Sequence, residues 1–235
     1  MILPPRKLAV GAASGRVRIA ALAWLAVVGA SSAAFAGGLP GGDSIVRVNR
    51  ETGGFCTGFA VDERTVVTAA HCLWLARPMN WIRPTSLHIL AGYDRGAYRQ
   101  HLRVVEFRIG ADFEPKGRAG QSGDWALLKL DKPFAGPVLP FARRPAAVGD
   151  RFSAIGFAIT RRHRLTGMAD CRVRAVSSAA FVHSCPAGRG HSGGPMVGRE
   201  DGRLVAFGVH VASGRDGGLA IAAGAISGGR ARRPD

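Results

Sequence analysis

Short runs of apolar and β-branched residues, separated by turn-forming residues, recur along most of the chain from about residue 45 onward. Residues 55–61 and 64–68 are two such runs on either side of Asp62-Glu63, and together they predict a hairpin. Long stretches with a helical period are scarce. Many short strands with frequent turns indicate an all-β fold. Further strands are predicted at residues 45–48, 87–91, 102–109, 126–130, 151–159, 171–176, 195–198, 204–211 and 219–222.

The first 36 residues have a different composition. Basic residues at positions 6, 7, 16 and 18 are followed by an uncharged apolar stretch at 19–30 and then by Ala34-Phe35-Ala36, a small-x-small pattern. These features predict a signal peptide cleaved after Ala36, and therefore a secreted or periplasmic protein without a membrane span. The alternative is a retained anchor, because the stretch of about 18 residues from 19 to 36 is near the lower limit for a span.

Residues 37–235 are expected to form the mature protein, beginning with a loose segment at 37–43. Residues 132–147 contain four prolines and few strand signals. They are expected to link an N-terminal half at about 45–131 to a C-terminal half at about 148–223. The tail from Gly224 is rich in Gly, Arg and Pro, lacks the apolar spacing of a helix, and is expected to be frayed.

The mature chain is strongly basic. Cleavage after Ala36 would leave 28 Lys and Arg against 16 Asp and Glu, a net charge of +12. Such a charge can favour nucleic acid, anionic membranes or acidic polymers. The arginines are scattered, however, no aromatic residues interleave with them, and no nucleic-acid motif is present. We therefore expect no specific nucleic-acid partner, only weak binding to anionic surfaces, and a monomer.

Four cysteines follow the predicted signal peptide: Cys56, Cys72, Cys171 and Cys185. In a secreted protein they favour disulfides, and three pairings of the four are possible. The sequence has no Cys-x-x-Cys spacing, so neither a structural zinc site nor another metal is expected.

Three short stretches carry side chains suited to nucleophilic catalysis. Ser192 lies in Gly-Arg-Gly-His-Ser-Gly-Gly-Pro, where small neighbours permit strained turns and the close approach of a substrate carbonyl. A hydroxyl is a poor nucleophile without a base, and His71 in Thr-Ala-Ala-His-Cys is the candidate base. Asp124, which precedes Trp-Ala-Leu-Leu, is the candidate for orienting the imidazole. Asp112 and Asp131 are alternatives, but neither leads into such a run.

His71, Asp124 and Ser192 stand in the chain order of a chymotrypsin-type triad. With their flanking motifs, the sequence resembles the chymotrypsin/trypsin-like serine protease family over about residues 45–223. The resemblance implies two six-stranded Greek-key β-barrels packed together, with the active site in the cleft between them. It also implies an oxyanion hole formed by the backbone N–H groups of Gly190 and Ser192. Finally, it implies no cofactor and the disulfides Cys56–Cys72 and Cys171–Cys185.

His191 and Val211 depart from the trypsin pattern near the triad. Trypsin-type zymogens pair a freed Ile or Val amino group with an Asp just before the catalytic Ser, but His191 occupies that position here. We therefore expect that the protein does not use this activation switch, and that it is closest in style to the bacterial secreted branch that includes glutamyl endopeptidases. Val211 replaces a serine that supports the triad Asp in trypsins, so support for Asp124 is expected from elsewhere.

The resemblance also suggests a substrate pocket, formed by Pro186, Ala187, His210 and Ser213. Pro186 lies where trypsins have the Asp that binds Lys or Arg, so a preference for Lys or Arg is not expected. His210 falls where glutamyl endopeptidases carry a His that pairs with a substrate carboxylate. Ala187, however, replaces a residue that usually offers a hydroxyl in those enzymes, and a histidine in the pocket wall can also be purely structural.

The leading hypothesis is a secreted serine endopeptidase that hydrolyses peptide or protein substrates through an acyl-enzyme on Ser192. The alternative is a catalytically inactive, protease-like cationic binding protein. Inactive relatives usually lack the His or the Ser, whereas His71, Asp124 and Ser192 are all present.

Overall fold

The computed structural model describes residues 38–117 and 122–234. The predicted signal peptide lies outside these residues. The described chain is built mainly of β-strands, which form two closed, six-stranded antiparallel barrels. The predicted fold class is therefore confirmed. No helix among the described residues is long and apolar enough to cross a membrane.

The first barrel closes through the pairing of its longest strand with its last one. In that last strand the first, third and fifth residues are buried, because alternate side chains of a strand point to the same face. A two-stranded hairpin forms a separate small sheet. The strands are β1 (Ile45–Arg50), β2 (Phe55–Ala60), β3 (Thr65–Thr68), β4 (Trp74–Leu75), β5 (Asn80–Trp81), β6 (Leu87–Ala91), β7 (Gln100–Gly110) and β8 (Ala126–Leu130), of which β4 and β5 form the hairpin.

The second barrel has the order β10-β11-β14-β13-β12-β9. Its strands are β9 (Arg151–Phe157), β10 (Leu165–Val176), β11 (Ala180–His183), β12 (Pro195–Glu200), β13 (Arg203–Gly214) and β14 (Gly217–Ala222). The sequence predicted only the second part of β10 and did not predict β11. Both elements are largely exposed on one side, so their apolar signal is weak.

An apolar cluster joins the two barrels. Phe59 and Val67 of the first barrel belong to the same buried cluster as Ile155, Val209 and Ile221 of the second. This shared core fixes the strand ends that carry the candidate site residues, because a close-packed interior leaves little freedom for one barrel to shift against the other.

The segment between β8 and β9 contacts both barrels. Ala142 donates its N–H to the Ala206 carbonyl at 2.9 Å, and Ala206 donates to the Pro140 carbonyl at 2.8 Å. Earlier in the same stretch, the Leu139 N–H donates to the Ala60 carbonyl of β2 at 2.8 Å, and the Phe134 N–H donates to the Glu63 carbonyl at 2.7 Å.

The prediction for the C-terminal tail was wrong. A short helix, α1 (Ala223–Ser227), and a strand, β15 (Ala231–Arg232), follow β14. Ile226 is buried, and β15 pairs with β7 of the first barrel. One buried apolar residue and a strand pairing at a sheet edge hold this segment, and neither produces a periodic pattern in the sequence.

Candidate active site

Strand register brings His71 and Asp124 together. His71 lies on the 3-10 turn Ala70–Leu73 that follows β3, and Asp124 lies just before β8. These strands are paired, with Thr68 opposite Ala126. The Asp124 carboxylate is buried and accepts two hydrogen bonds, from His71 Nδ1 at 2.8 Å and from the His71 backbone N–H at 2.9 Å. The pair of bonds fixes the imidazole as the Nδ1–H tautomer, which leaves Nε2 free to accept a proton.

Ser192 lies in a segment that we call the nucleophile loop (residues 188–194), after the role that the sequence predicts for Ser192. The Ser192 carbonyl accepts the Thr57 N–H at 2.9 Å and lies 3.9 Å from the sulfur of Cys72, the residue after His71. Within the described part of the chain, the Ser192 hydroxyl makes no hydrogen bond, including none to His71. Catalytic hydrogen bonds are often long in unliganded proteases and shorten when substrate binds.

The predicted oxyanion donors are oriented by the carbonyl groups of their own peptide units. The Arg189 carbonyl accepts the Ile159 N–H at 2.8 Å, and the His191 carbonyl accepts the Gly194 N–H at 2.8 Å. Because each peptide unit is planar and trans, the Gly190 and Ser192 N–H groups point the opposite way. Neither N–H has an acceptor among the described residues. Gly190 has a φ of 94°, a conformation that favours glycine.

Thr57 on β2 is a site residue that the sequence analysis missed. Its buried hydroxyl donates to the Gly190 carbonyl at 2.8 Å and accepts the Phe157 N–H at 2.9 Å. Its carbonyl accepts the Thr68 hydroxyl at 2.7 Å, and its N–H bonds to the Ser192 carbonyl. No local motif marks this threonine, because its partners come from three other parts of the chain.

His191 anchors the nucleophile loop to the second barrel. His191 Nε2 lies 3.1 Å from the Thr166 hydroxyl oxygen, which is itself 2.7 Å from the Gly156 carbonyl, and His191 Nδ1 lies 3.3 Å from the Gly188 carbonyl. Burial lowers the pKa of His191, an effect partly offset by the Gly188 carbonyl. The ring is therefore neutral at neutral pH and holds the loop without a charged partner.

The family model described as the trypsin-like peptidase domain matches residues 56–207, about two thirds of the chain. The chain belongs to the trypsin-like peptidase family. The matched range contains His71, Asp124 and Ser192 but ends before His210. No match was found among curated proteins.

Both disulfides of this trypsin-like peptidase lie next to the site. Cys56–Cys72 joins β2 to the turn that carries His71, and Cys171–Cys185 joins β10 to the segment before the nucleophile loop. Within the described residues, the side chains of Cys56, His71 and Cys72 form a cluster with metal-like spacing. Because the two sulfurs are bonded to each other, they do not offer the thiolates that a metal site requires.

The peptidase has a chain of hydrogen-bonded histidines behind the predicted pocket. The Cys185 N–H donates to His183 Nδ1 at 3.2 Å, so the proton of the neutral His183 ring is on Nε2. That N–H donates to His210 Nδ1 at 3.0 Å, which leaves the His210 proton on Nε2, 3.1 Å from the Ser213 hydroxyl oxygen. The direction of every bond is therefore fixed, and the chain ends in a donor at the protein surface.

Burial keeps both rings of this chain neutral. Burial lowers the pKa of His183 to about 4. Burial, with the nearby rings of His183, His191 and His71, lowers the pKa of His210 to about 3. His183 was not predicted as a site residue. Of the other predicted pocket residues, Ala187 is buried, whereas Pro186 and Ser213 are exposed.

Proposed function

We propose that this trypsin-like peptidase is a secreted serine endopeptidase. In this proposal Ser192 is the nucleophile, His71 is the general base, and Asp124 orients the imidazole. The main support is the buried Asp124 carboxylate, which holds His71 through two hydrogen bonds in a domain of the peptidase family. The N–H groups of Gly190 and Ser192, which have no acceptor among the described residues, are suited to a developing oxyanion.

The proposed reaction uses only groups of the chain and water. His71 Nε2 accepts the Ser192 proton as the hydroxyl oxygen attacks the scissile carbonyl, and the two N–H groups stabilise the negative oxygen. The same nitrogen then donates the proton to the leaving amine, which gives an acyl-enzyme. A water molecule, deprotonated by His71, hydrolyses that ester and returns Ser192 to its starting state.

We further propose a preference for an acidic residue on the acyl side of the cleaved bond. Its carboxylate would take the place of the Ser213 oxygen as the acceptor of the His210 Nε2–H, and it would also accept a hydrogen bond from the Ser213 hydroxyl. The directional chain through His183 supports this role, because it presents a donor rather than an acceptor to the pocket. Pro186 supplies no negative charge for a Lys or Arg side chain.

Secretion is proposed from the leader sequence, with cleavage after Ala36, and from the two disulfides, which form in oxidising compartments. N-terminal sequencing of the protein exported by a secreting host tests the cleavage site. A first residue of Gly37 is expected, whereas an uncleaved membrane-bound product would contradict the proposal.

A fluorophosphonate probe tests the catalytic assignment. We expect the mature, disulfide-bonded protein to be labelled on Ser192, and we expect Ser192→Ala and His71→Ala to abolish labelling. Asp124→Asn should lower kcat by roughly ten-thousandfold, because the imidazole would no longer be held in the productive tautomer. Absence of labelling in the correctly folded protein would instead favour the inactive cationic binding protein.

Cleavage-site profiling on a mixed peptide library tests the pocket. We expect Glu or Asp before the cleaved bond, and a roughly 10- to 100-fold loss of the Glu-over-Gln ratio of kcat/KM in His210→Gln, the range for a hydrogen bond to a charged group. Labelling of Ser192 in this variant serves as the control for an intact catalytic site. A preference of the native protein for Lys or Arg would refute the acidic pocket.

A further inference from the structure

A cavity of about 930 Å³ opens beside the loop between β9 and β10. No acidic residue among those that the structure describes lines it, whereas its basic lining residues are all exposed. We call this cavity the arginine groove, and its basic residues are Arg95, Arg161, Arg162, His163 and Arg164.

Little of the positive charge in the arginine groove is neutralised. Its one ion pair within the described residues joins Arg164 Nε to Asp94 Oδ1 at 3.8 Å and is exposed. The other three arginines of the groove make no ion pair or hydrogen bond through their guanidinium groups with any described residue. Elsewhere an arginine such as Arg144 has a carboxylate at close range, with contacts of 2.7 and 3.3 Å to Asp150.

The wall of the groove is held in a defined shape. Arg95 has a φ of 47°, a left-handed conformation that costs a non-glycine residue about 1 kcal/mol. Its N–H donates to the His163 carbonyl at 2.7 Å, and the His163 ring bonds to the Tyr93 hydroxyl at 2.8 Å. Beneath it, the buried Arg47 guanidinium stacks on the rings of Phe55 and Tyr93 at 4.1 and 4.6 Å.

The arginine groove and the His210 pocket contact opposite ends of the nucleophile loop. Ile159 donates to the Arg189 carbonyl at one end, and the groove begins at the next residue, Thr160. At the other end, Gly193 donates to the His210 carbonyl at 2.8 Å. The groove and the His210 pocket therefore lie on either side of Ser192 along this loop.

We propose that the arginine groove binds an acidic segment of the protein substrate, on the carboxyl side of the cleaved bond. This proposal rests on the proposed endopeptidase function and adds a second determinant of substrate choice. Several guanidinium groups without carboxylate partners attract Asp and Glu side chains and raise the rate of productive encounter.

The position of the groove favours a substrate segment over a free polyanion. The groove is joined to the nucleophile loop through the Ile159–Arg189 hydrogen bond, so a chain held in it can remain in the catalytic site. Binding of a free polysaccharide or nucleic acid would not require the groove to be connected to the nucleophile loop. Such binding is an alternative outcome of the test.

Two charge-reversal variants provide the test. Arg161→Glu/Arg162→Glu alters the groove. The matched control, Arg172→Glu/Arg203→Glu, changes two exposed arginines near the other end of β9. Arg172 lies opposite Arg151 in the register of β10 and β9, and Arg203 lies in the β12–β13 hairpin. Both variants have the same net charge, so an effect of overall charge appears in both.

The kinetic test compares the cleavage of two peptides with the same sequence up to and including the two residues joined by the cleaved bond. One continues with a run of glutamates and the other with a run of glutamines. We expect kcat/KM for the glutamate peptide to fall about tenfold in the groove variant and not in the control, with little change for the glutamine peptide. The difference should shrink at high salt because the charges are exposed. Equal losses for both peptides, or equal losses in both variants, would overturn the proposal.

Binding to Ser192→Ala protein separates this proposal from the catalytic one. Fluorescence anisotropy with the labelled glutamate peptide should give a Kd about tenfold weaker when the groove substitutions are added. This result would support the groove even if the native protein hydrolysed no peptide. Heparin and single-stranded DNA serve as polyanion probes. Loss of their binding in the groove variant, with unchanged binding and cleavage of the glutamate peptide, would contradict the proposal.

Discussion

The Thr57 hydroxyl connects the two barrels at the level of single atoms. It bonds at once to the Gly190 carbonyl and to the Phe157 N–H, and both partners belong to the second half of the chain. A buried polar group without a partner costs about 1–3 kcal/mol, so these bonds specify how the nucleophile loop meets β2. The orientation of the proposed oxyanion donors therefore depends on a side chain outside the triad.

Replacement of this hydroxyl should impair both folding stability and turnover. In Thr57→Val the Gly190 carbonyl and the Phe157 N–H lose their hydrogen-bond partner, while the volume of the side chain at position 57 is almost unchanged. We expect the free energy of unfolding to fall by roughly 2 kcal/mol and kcat to fall at least tenfold, with a smaller change in KM. Urea unfolding and steady-state kinetics measure the two effects. Thr57→Ser keeps the hydroxyl and should retain most of both properties, and full kcat in Thr57→Val would contradict the role.

Among the elements of the fold, the 3-10 turn Ala70–Leu73 is held from two sides. The Cys56–Cys72 disulfide ties it to β2, and pairing of β3 with β8 brings Asp124 to its backbone. The Cys171–Cys185 disulfide instead braces the residues next to His183, whose ring accepts the Cys185 N–H. The two crosslinks therefore support different parts of the site.

Removal of the first disulfide should mainly impair catalysis, whereas removal of the second should mainly impair substrate selectivity. The bridges span 16 and 14 residues, so each Cys→Ser pair should lower the free energy of unfolding by about 3 kcal/mol. Cys56→Ser/Cys72→Ser should lower kcat for Glu and Gln substrates alike. Cys171→Ser/Cys185→Ser should mainly reduce the ratio of their kcat/KM values. Assays below the unfolding temperature of both variants test this, and identical profiles would contradict the division.

In the molecule as a whole, neutral buried histidines link stability to pH. The pKa of His183 is about 4 in the folded protein, below its ordinary value of 6.5, and the pKa of His210 is about 3. The unfolded chain takes up protons on these rings below pH 6.5, whereas the folded chain does not. The unfolded state is therefore favoured progressively as the pH falls from 6.5 towards 4.

We expect the free energy of unfolding to fall by on the order of 3 kcal/mol between pH 6.5 and pH 4 from His183 alone. Urea unfolding at several pH values measures the slope. His183→Gln/His210→Gln removes both titrating rings, so its stability should depend less on pH over this interval. An equally steep loss in the double variant would assign the effect to other groups.

The strand pattern and the triad motifs were readable because they are local. Alternating apolar residues report which face of a strand is buried, and the stretches around His71, Asp124 and Ser192 are each contiguous. The tail was misread because Ile226 and the pairing of β15 with β7 leave no repeating pattern. Thr57 and His183 were missed for a related reason, since one buried polar side chain in a strand does not reveal its partner.

The sequence by itself determined the family, the all-β class and the three residues proposed for catalysis. The tertiary structure decided how those residues are supported: the two bonds from His71 to Asp124, the Thr57 bridge, the His191–Thr166 anchor and the direction of the His183–His210 chain. Local patterns report burial and backbone conformation, which nearby residues set. Hydrogen-bond partners and unneutralised charges arise between segments far apart in sequence, so only the tertiary packing of those segments defines them.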